Sequence, residues 1–143
     1  MVKFIPFELT LGLRSKILRN NLPVQECVFP TDQVEGAFHL AYYADDEVAT
    51  IASFFPKNYK DEIRLGYQLR GMATDTKYAG KGYGSELVTF AINYIKNTNA
   101  QYIWCNARSS AVKFYEKIGF VPVSDEFEIA GVGPHYEMIL NLY

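Results

Sequence analysis

The chain has 143 residues and a formal net charge of -2, and 49% of its residues are hydrophobic and 15% aromatic. This length and apolar content are typical of one domain with a single core, which we expect to span residues 1–143. The slightly acidic balance excludes the basic surface that nucleic-acid binding requires, so small molecules or proteins are the expected partners.

The first half of the chain is predicted to contain one helix and three strands. Residues 9–20 (LTLGLRSKILRN) place leucine and isoleucine against arginine and lysine at helical spacing, and Pro23 rules out a continuation of that helix. FHLAYYA (38–44) and VATIASFFP (48–56) are rich in β-branched and aromatic residues and predict an antiparallel hairpin. IRLGYQLRGMAT (63–74) predicts a further strand.

The second half is predicted to alternate strands with helices. From Ser85 the chain predicts an amphipathic helix, whose apolar face consists of Leu87, Val88, Ala91, Ile92 and Ile95. YIWCNA (102–107) predicts a strand. Ser109 or Ser110 is then expected to cap a second helix that ends at Gly119.

Two last strands are predicted, FVPVS (120–124) and YEMILNL (136–142), separated by an acidic and glycine-rich stretch. Strands joined by two helical crossovers favour an α/β fold with a mixed sheet and helices on its faces. No apolar run reaches the ~18 residues of a membrane-spanning helix, and the N-terminus alternates too much for a signal peptide. We therefore expect a cytoplasmic protein without membrane contact.

The two cysteines, Cys27 and Cys105, are too few for a disulfide framework. Neither lies in a spacing typical of zinc sites. We expect reduced thiols and no bound metal.

Three glycines, Gly80, Gly82 and Gly84, lie between a predicted strand and a predicted helix. A glycine-rich turn before a helix can bind an anion, because unpaired backbone N–H groups and the helix dipole favour negative charge. The P-loop pattern fails because Asp75 occupies its first glycine position, and the dinucleotide pattern fails because Ser85 occupies its last. The pattern G-x-G-x-G remains, and a tight turn without a ligand stays an alternative.

Two stretches resemble the signatures of the GNAT superfamily of N-acetyltransferases. LRGMATDTKYAGKGYGSELV (69–88) is similar to the segment that binds acetyl-CoA, and NARSSAVKFYEKIGF (106–120) is similar to the helix that carries a tyrosine before a glycine-aromatic pair. FHLAYYADDEVATIASF (38–54) and EFEIAGVGPHYEMIL (126–140) resemble the central and last hairpins of small members. The resemblance implies an α+β fold with a mixed, largely antiparallel sheet, splayed central strands and helices on both faces.

The resemblance also implies acetyl-CoA as cosubstrate, with its pyrophosphate on the glycine loop and its pantetheine arm between the splayed strands 63–74 and 102–107. The residues implied in donor binding are Met72, Ala73, Thr74, Lys77, Ala79, Gly80, Lys81, Gly82, Tyr83, Gly84, Ser85, Asn106 and Ser109. The pantetheine would pair with the backbone of 72–74 like an added strand, and Asn106 would bond its amide.

One position departs from the family pattern. The pattern opens with Gln or Arg, and this chain has Ala79 there. The pyrophosphate contacts are therefore left to backbone N–H groups and to Lys77 or Lys81, whose side chains are more flexible than arginine.

The chemistry implied is acetyl transfer to an amine. Tyr115 is the candidate that protonates the CoA thiolate, and the N–H of Met72 is the candidate oxyanion donor. A tyrosine on an apolar helix face can instead be a core residue. His135 is the first candidate for the base that deprotonates the amine, whereas His39 lies in an apolar strand where a structural role is expected. Three carboxylates also qualify by type, namely Glu137, Glu128 and Glu26.

The expected acceptor is a primary amine of a small molecule or peptide, and the expected assembly is a monomer or homodimer. The acceptor loops are residues 20–36 and 124–134, which carry no interpretable motif. Their acidic stretch SDEFE (124–128) is either a solvated loop or an attractant for a cationic acceptor. The alternative function is a catalytically silent CoA-binding module or sensor, which Ala79 would suit.

Overall fold

An eight-stranded sheet forms the centre of the computed structural model, which describes residues 1–143. Its strands are β1 (Val2–Ile5), β2 (Phe38–Ala44), β3 (Glu47–Pro56), β4 (Gly66–Thr74), β5 (Tyr102–Arg108), β6 (Val121–Pro122), β7 (Phe127–Ile129) and β8 (Gly133–Asn141). They lie in the order β1-β2-β3-β4-β5-β8-β6, and β7 also pairs with β8. Only the pairing of β4 with β5 is parallel. The predicted mixed, largely antiparallel sheet is confirmed.

Helices cover the sheet. The helix α1 (Leu11–Leu13) lies between a 3-10 turn (Phe7–Thr10) and a π-helical turn (Arg14–Leu18). The helix α2 (Tyr83–Ile95) connects β4 to β5, and α3 (Val112–Ile118) follows β5. Further 3-10 turns are Val24–Cys27, Thr76–Tyr78 and Ser109–Ala111. None of these helices combines the length and the apolar content needed to cross a membrane.

The two central strands diverge. β4 and β5 pair at only three positions, from Gly66 opposite Tyr102 to Gln68 opposite Trp104. Both strands continue beyond these pairs, to Thr74 and Arg108. The predicted splay is confirmed, and it leaves the facing edges of the two strands without a strand partner.

Strand alternation sorts the core onto two faces of the sheet. On the α2 face, which α2 and α3 cover, Leu87, Val88, Ala91 and Ile95 are fully buried in one cluster with Phe54. On the α1 face, which the N-terminal helical segment covers, Leu13 packs with Ala41, Ile51 and Ala73. Helices on both faces are therefore confirmed, and so is the predicted apolar side of α2, although Ile92 is only partly buried.

The N-terminal helix differs from the prediction for residues 9–20. It passes through three helix types and ends at Leu18, and Asn20 and Asn21 adopt positive φ values of 51° and 61°. The N–H of Asn21 donates to the carbonyl of Ser15 across six residues, which a regular α-helix does not allow. Arg14, the first residue of the π-helical turn, is buried and pairs with Asp32.

The predicted serine cap of the second helix is wrong. α3 begins at Val112 with no side-chain cap, and residues 109–111 form a 3-10 turn instead. The hydroxyl of Ser109 donates to Glu126 at 2.8 Å. The end of the helix agrees with the prediction, since the N–H of Gly119 donates to Glu116 in the turn that follows Ile118.

Strand boundaries also differ. The strand predicted over 63–74 begins at Gly66, where a Cβ would lie only 2.4 Å from the Tyr102 ring. The last strand begins at Gly133 because β7, inside the stretch expected to be irregular, pairs with it. The strand predicted over 120–124 is reduced to Val121–Pro122.

Candidate active site

A cavity of about 960 Å³ opens where β4 and β5 diverge. Its wall runs from the start of α2 along β4 and reaches the end of β5 and the start of β8. This volume is typical of pockets that bind cofactors.

The glycine loop begins as β4 ends. The carboxylate of Asp75 accepts the N–H of Lys77 at 3.2 Å and starts the 3-10 turn. The buried Tyr78 then fixes the turn to the sheet, because its hydroxyl donates to Glu47 at 2.7 Å. Gly80 and Gly82 follow with φ values of +76° and +82°, a left-handed backbone that only glycine adopts readily.

The first N–H groups of α2 point out of the helix without acceptors. The first intrahelical bond runs from the N–H of Glu86 to the carbonyl of Gly82 at 3.1 Å. The N–H groups of Tyr83, Gly84 and Ser85 precede it, and no side chain caps them. Because the cavity reaches these residues, an anion in it would meet unpaired donors and the positive end of the helix dipole.

The two lysines of the loop lie in different places. Lys81 is exposed and lines the cavity, as does Ala79. Lys77 lies outside the wall, and its amine pairs with Glu47 on β3. Of the two lysines expected as alternatives, the structure brings only Lys81 to the cavity.

Gly84 has a packing role. A Cβ there would lie 2.8 Å from Cε of Met72 and 3.2 Å from the ring of Phe114. At Gly82 a Cβ would meet nothing within 4 Å. Gly84 thus allows α2 to approach β4 and α3, a reason that the sequence pattern did not reveal.

A β-bulge shapes the middle of β4. Ile51 pairs with Ala73 and Ser53 with Arg70, so one residue of β3 opposes both Gly71 and Met72. Gly71 has a φ of +64°, which a bulge of this kind requires. The bulge lies beyond the last β4–β5 pair, so the backbone of Met72 borders the cavity at a free strand edge.

Tyr115 lies on α3 with its ring packed against Phe114 and Phe120, at centroid distances of 5.0 and 5.4 Å. It is 5% exposed and lines the cavity. Its hydroxyl has no hydrogen-bond partner in the chain, but it is not fully buried. Burial, and the neighbouring Cys105 thiol after it, raise the pKa of Tyr115 well above 10.0. The hydroxyl therefore stays protonated.

His135 lines the cavity from β8, opposite Arg108 of β5. Its Nδ1 lies 2.7 Å from the carbonyl of Gly133, which can only accept, so Nδ1 carries the proton. In the neutral form of the ring Nε2 then has the lone pair, and it has no hydrogen-bond partner in the chain. His135 is buried on the α1 face, whereas Tyr115 belongs to the core of the α2 face.

The other candidate bases do not reach the cavity. Glu137 accepts from the Tyr59 hydroxyl at 2.9 Å and pairs with Lys60 at 3.1 Å. Glu128 and Glu26 are exposed and do not line it.

His39 is buried and bonded. One ring nitrogen lies 2.7 Å from the Ser53 hydroxyl and the other 3.0 Å from the Asp32 carbonyl. This geometry fits the structural role expected for it.

Of the remaining implied donor residues, the structure brings some together and not others. Ala73, Thr74 and Asn106 line the cavity, and Asn106 is exposed at the free end of β5. Ser109 does not line it, since its hydroxyl is bonded to Glu126.

Sequence reasoning missed most of the charge of the cavity. Five cationic residues line it and no acidic residue does. The five are Arg19, Arg70, Lys81, Arg108 and Lys117. Of these five, only Lys81 is among the residues that the family resemblance implies in donor binding. Arg70 is the only charged residue near the C-terminal end of the strand predicted over 63–74, and this position could have identified it. Nothing local distinguishes Lys117 from other helix lysines.

The model of the acetyltransferase (GNAT) domain family matches residues 28–142. The chain belongs to the GNAT acetyltransferase family. The protein named "Uncharacterized N-acetyltransferase YitI" of Bacillus subtilis (strain 168) is 35% identical to this GNAT chain over 142 residues, covering 99% of it and 95% of YitI. The expected family is thus confirmed.

Solved structures share the GNAT fold. Escherichia coli ElaA superposes with a TM-score of 0.77 at 18% identity, covering 98% of this chain and 99% of ElaA. An aminoglycoside 6'-N-acetyltransferase complexed with coenzyme A gives 0.76 at 14% identity, covering 100% and 97%. This GNAT chain is therefore an acyltransferase.

Proposed function

We propose that the protein transfers an acetyl group from acetyl-CoA to a primary amine of a small molecule or peptide, by direct attack of the amine. The observation that carries this proposal is one continuous cavity wall. It contains the glycine loop, the free edge of β4, Tyr115 and His135.

The donor binds along the start of α2 and the free edge of β4. The pyrophosphate takes the unpaired N–H groups at the start of α2, with Lys81 beside it. Lys81 and Lys117 from α3 take the place of the arginine or glutamine of the family pattern, because the methyl group of Ala79 makes no polar contact. The pantetheine arm pairs with the edge of β4 at Met72–Thr74 and reaches Asn106 across the splay.

Two groups on opposite faces of the sheet assist the reaction, His135 as the base and Tyr115 as a hydrogen-bond donor to the leaving sulfur. The lone pair of His135 Nε2 accepts a proton from the substrate ammonium, and the neutral amine attacks the thioester carbon. The N–H of Met72 donates to the oxyanion as the C–N bond forms. The C–S bond then breaks while the Tyr115 hydroxyl donates a hydrogen bond to the leaving sulfur, and the second proton of the attacking nitrogen passes to solvent, which leaves the neutral amide.

The raised pKa of Tyr115 changes one expectation. An ordinary phenol with a pKa of ~10 lies close to a thiol at ~8.5, so full proton transfer would cost little. Because burial raises the pKa of Tyr115 further, tyrosinate is disfavoured. The hydroxyl therefore acts mainly by hydrogen bonding to the developing thiolate, and the proton on sulfur is restored from solvent.

The test measures CoA thiol release over a panel of amino acids, peptide N-termini, polyamines and aminoglycosides, together with thermal melts in CoA. A ligand at ~100 times its dissociation constant stabilises the fold by about 2.7 kcal/mol, which a melt resolves. Lys81→Ala should reduce the CoA-induced shift, and Lys77→Ala on the same loop is the matched control that should keep it. Equal shifts in both variants would refute the proposed phosphate site.

The same panel separates the enzyme from the silent CoA-binding module. A sensor would show the CoA-induced shift and release no thiol with any amine. Tyr115 and His135 on the cavity wall favour the enzyme, because a module that only binds CoA needs neither group there.

A further inference from the structure

Three arginines surround one aromatic ring at the end of the cavity away from the glycine loop. The guanidinium carbons of Arg14, Arg70 and Arg19 lie 3.8, 4.2 and 6.0 Å from the ring centroid of Phe29. Phe29, Arg70 and Arg19 all line the cavity. We call the site formed by Phe29, Arg70 and Arg19, with Arg14 packed on the same ring, the arginine pocket.

Only Arg14 has a counter-ion. It is 1% exposed and makes a two-bond pair with Asp32, with both N–O distances at 2.8 Å. The same guanidinium also donates to the Cys27 carbonyl and to the Ser53 hydroxyl. The ion pairs of the chain use neither Arg19 nor Arg70, and neither guanidinium donates a hydrogen bond to the protein. Two forks of N–H donors therefore face the cavity unused.

The positive charges destabilise one another. Burial lowers the pKa of Arg70, and so do the neighbouring charges of Arg14 and Arg19, while Asp32 opposes them. A partly buried cation without a partner costs free energy unless an anion neutralises it. A carboxylate or phosphate in the cavity would remove this cost and would match the planar guanidinium fork.

This charge belongs to a different end of the cavity from the donor phosphates. Arg70 pairs in register with Ser53, which contacts Arg14, so Arg70 lies on the α1 face. Lys81 and Lys117 belong to the α2 N-terminus and to α3, which cover the opposite face. His135, the proposed base, also lies on the α1 face. An amine delivered to His135 would thus enter from the side of the arginine pocket.

We propose that the acceptor amine carries an oxyanion group, a carboxylate or a phosphate, which the arginine pocket binds through Arg70 and Arg19. This inference rests on the proposed acetyl transfer and names its substrate class. Ile17 and Leu18 line the cavity beside Arg19, so the acceptor also has apolar surface to bury. Polyamines and other polycations are disfavoured, because Arg19, Arg70 and Arg108 would repel them and no acidic residue lines the cavity.

The test compares acceptors that differ only in charge. Phenylalanine is paired with phenylalaninamide, and phosphoethanolamine with ethanolamine, so that the two pairs separate the carboxylate from the phosphate source. The wild type should favour the anionic member of one pair by about 10- to 100-fold in kcat/KM, as hydrogen bonds to a charged group predict. Arg70→Gln should abolish this ratio, mainly through KM, and Arg70→Lys should restore part of it.

Arg64→Gln is the matched control. Arg64 is held by Glu62 and Asn141 away from the cavity, so its loss should leave the ratio unchanged. Turnover without any preference for the anionic amine would overturn this inference and leave the proposed acetyl transfer intact. No turnover with any amine would instead count against the acetyl transfer. In that case thermal melts in CoA plus phenylalanine or phosphoethanolamine test the arginine pocket. The proposal requires that one of these amines stabilise the protein beyond CoA alone, and that Arg70→Gln remove this added stabilisation.

A third readout guards against misassignment. If Arg70→Gln weakens CoA itself, as measured by the shift in CoA alone, the pocket binds a CoA phosphate and the acceptor proposal is refuted.

Discussion

Replacing Tyr115 by phenylalanine separates its chemical role from its packing role. The ring would keep its contacts with Phe114 and Phe120, and the hydroxyl has no partner in the chain to lose. We therefore expect the free energy of unfolding to change by less than ~0.5 kcal/mol. The hydrogen bond to the leaving sulfur would disappear, which should lower kcat by ~10²-fold, or about 2.7 kcal/mol of transition-state stabilisation.

The assay is thiol release at saturating acetyl-CoA, with a melt of each variant in CoA. Tyr102→Phe is a control with the opposite signature, because the Tyr102 hydroxyl accepts the N–H of Tyr59 at 2.8 Å far from the cavity. It should lose about 1 kcal/mol of stability and keep its kcat. Because burial holds the pKa of Tyr115 well above 10.0, kcat should show no loss from this group as pH rises to 10.

Three outcomes would refute the reasoning. An unaltered kcat in Tyr115→Phe would mean that water or another group assists the thiolate. A lost CoA shift would mean that the hydroxyl binds the donor. A loss of several kcal/mol of stability would identify Tyr115 as an ordinary core residue.

Two further predictions concern stability. Asp32→Ala would leave Arg14 buried without its counter-ion, and urea denaturation should show a loss of about 3–5 kcal/mol, whereas Lys16→Ala, which breaks the exposed pair with Asp75, should change it little. A small loss in Asp32→Ala would show that water reaches the pair. Burial raises the pKa of Cys105 from 9.0 to about 12, so the unfolded thiol loses its proton first and stability should fall by about 4 kcal/mol between pH 9 and 12. Denaturation across this range should show a flatter pH slope in Cys105→Ala, and an unchanged slope would contradict the assignment.

The sequence predicts best what depends on local pattern. The apolar side of α2 follows from helical spacing alone, and the glycine-rich turn before α2 follows from three glycines between a strand and a helix. The splay of β4 from β5 came from the family resemblance, because no local feature of either strand marks where their pairing ends after Gln68.

What the sequence could not predict depends on distant partners. The buried pair of the N-terminal helix joins Arg14 to Asp32, eighteen residues further along the chain. Which of Lys77 and Lys81 faces the cavity is decided by Glu47, on a different strand. The arginine pocket likewise exists only once Phe29 and Arg70 meet, which spacing along one chain segment does not encode.

The splay has a consequence for self-association. A strand edge without a partner normally invites another chain to add to the sheet, which is how many proteins aggregate. Here the free edges of β4 and β5 face each other, and the gap closes at Gln68 and Trp104. A strand that paired with both β4 and β5 would require these two strands to lie about twice the ~4.8 Å strand spacing apart along its whole length. It would also need room for side chains on both faces. A strand from another chain therefore cannot pair with both edges over their full length, because the two edges already pair with each other at Gln68 and Trp104.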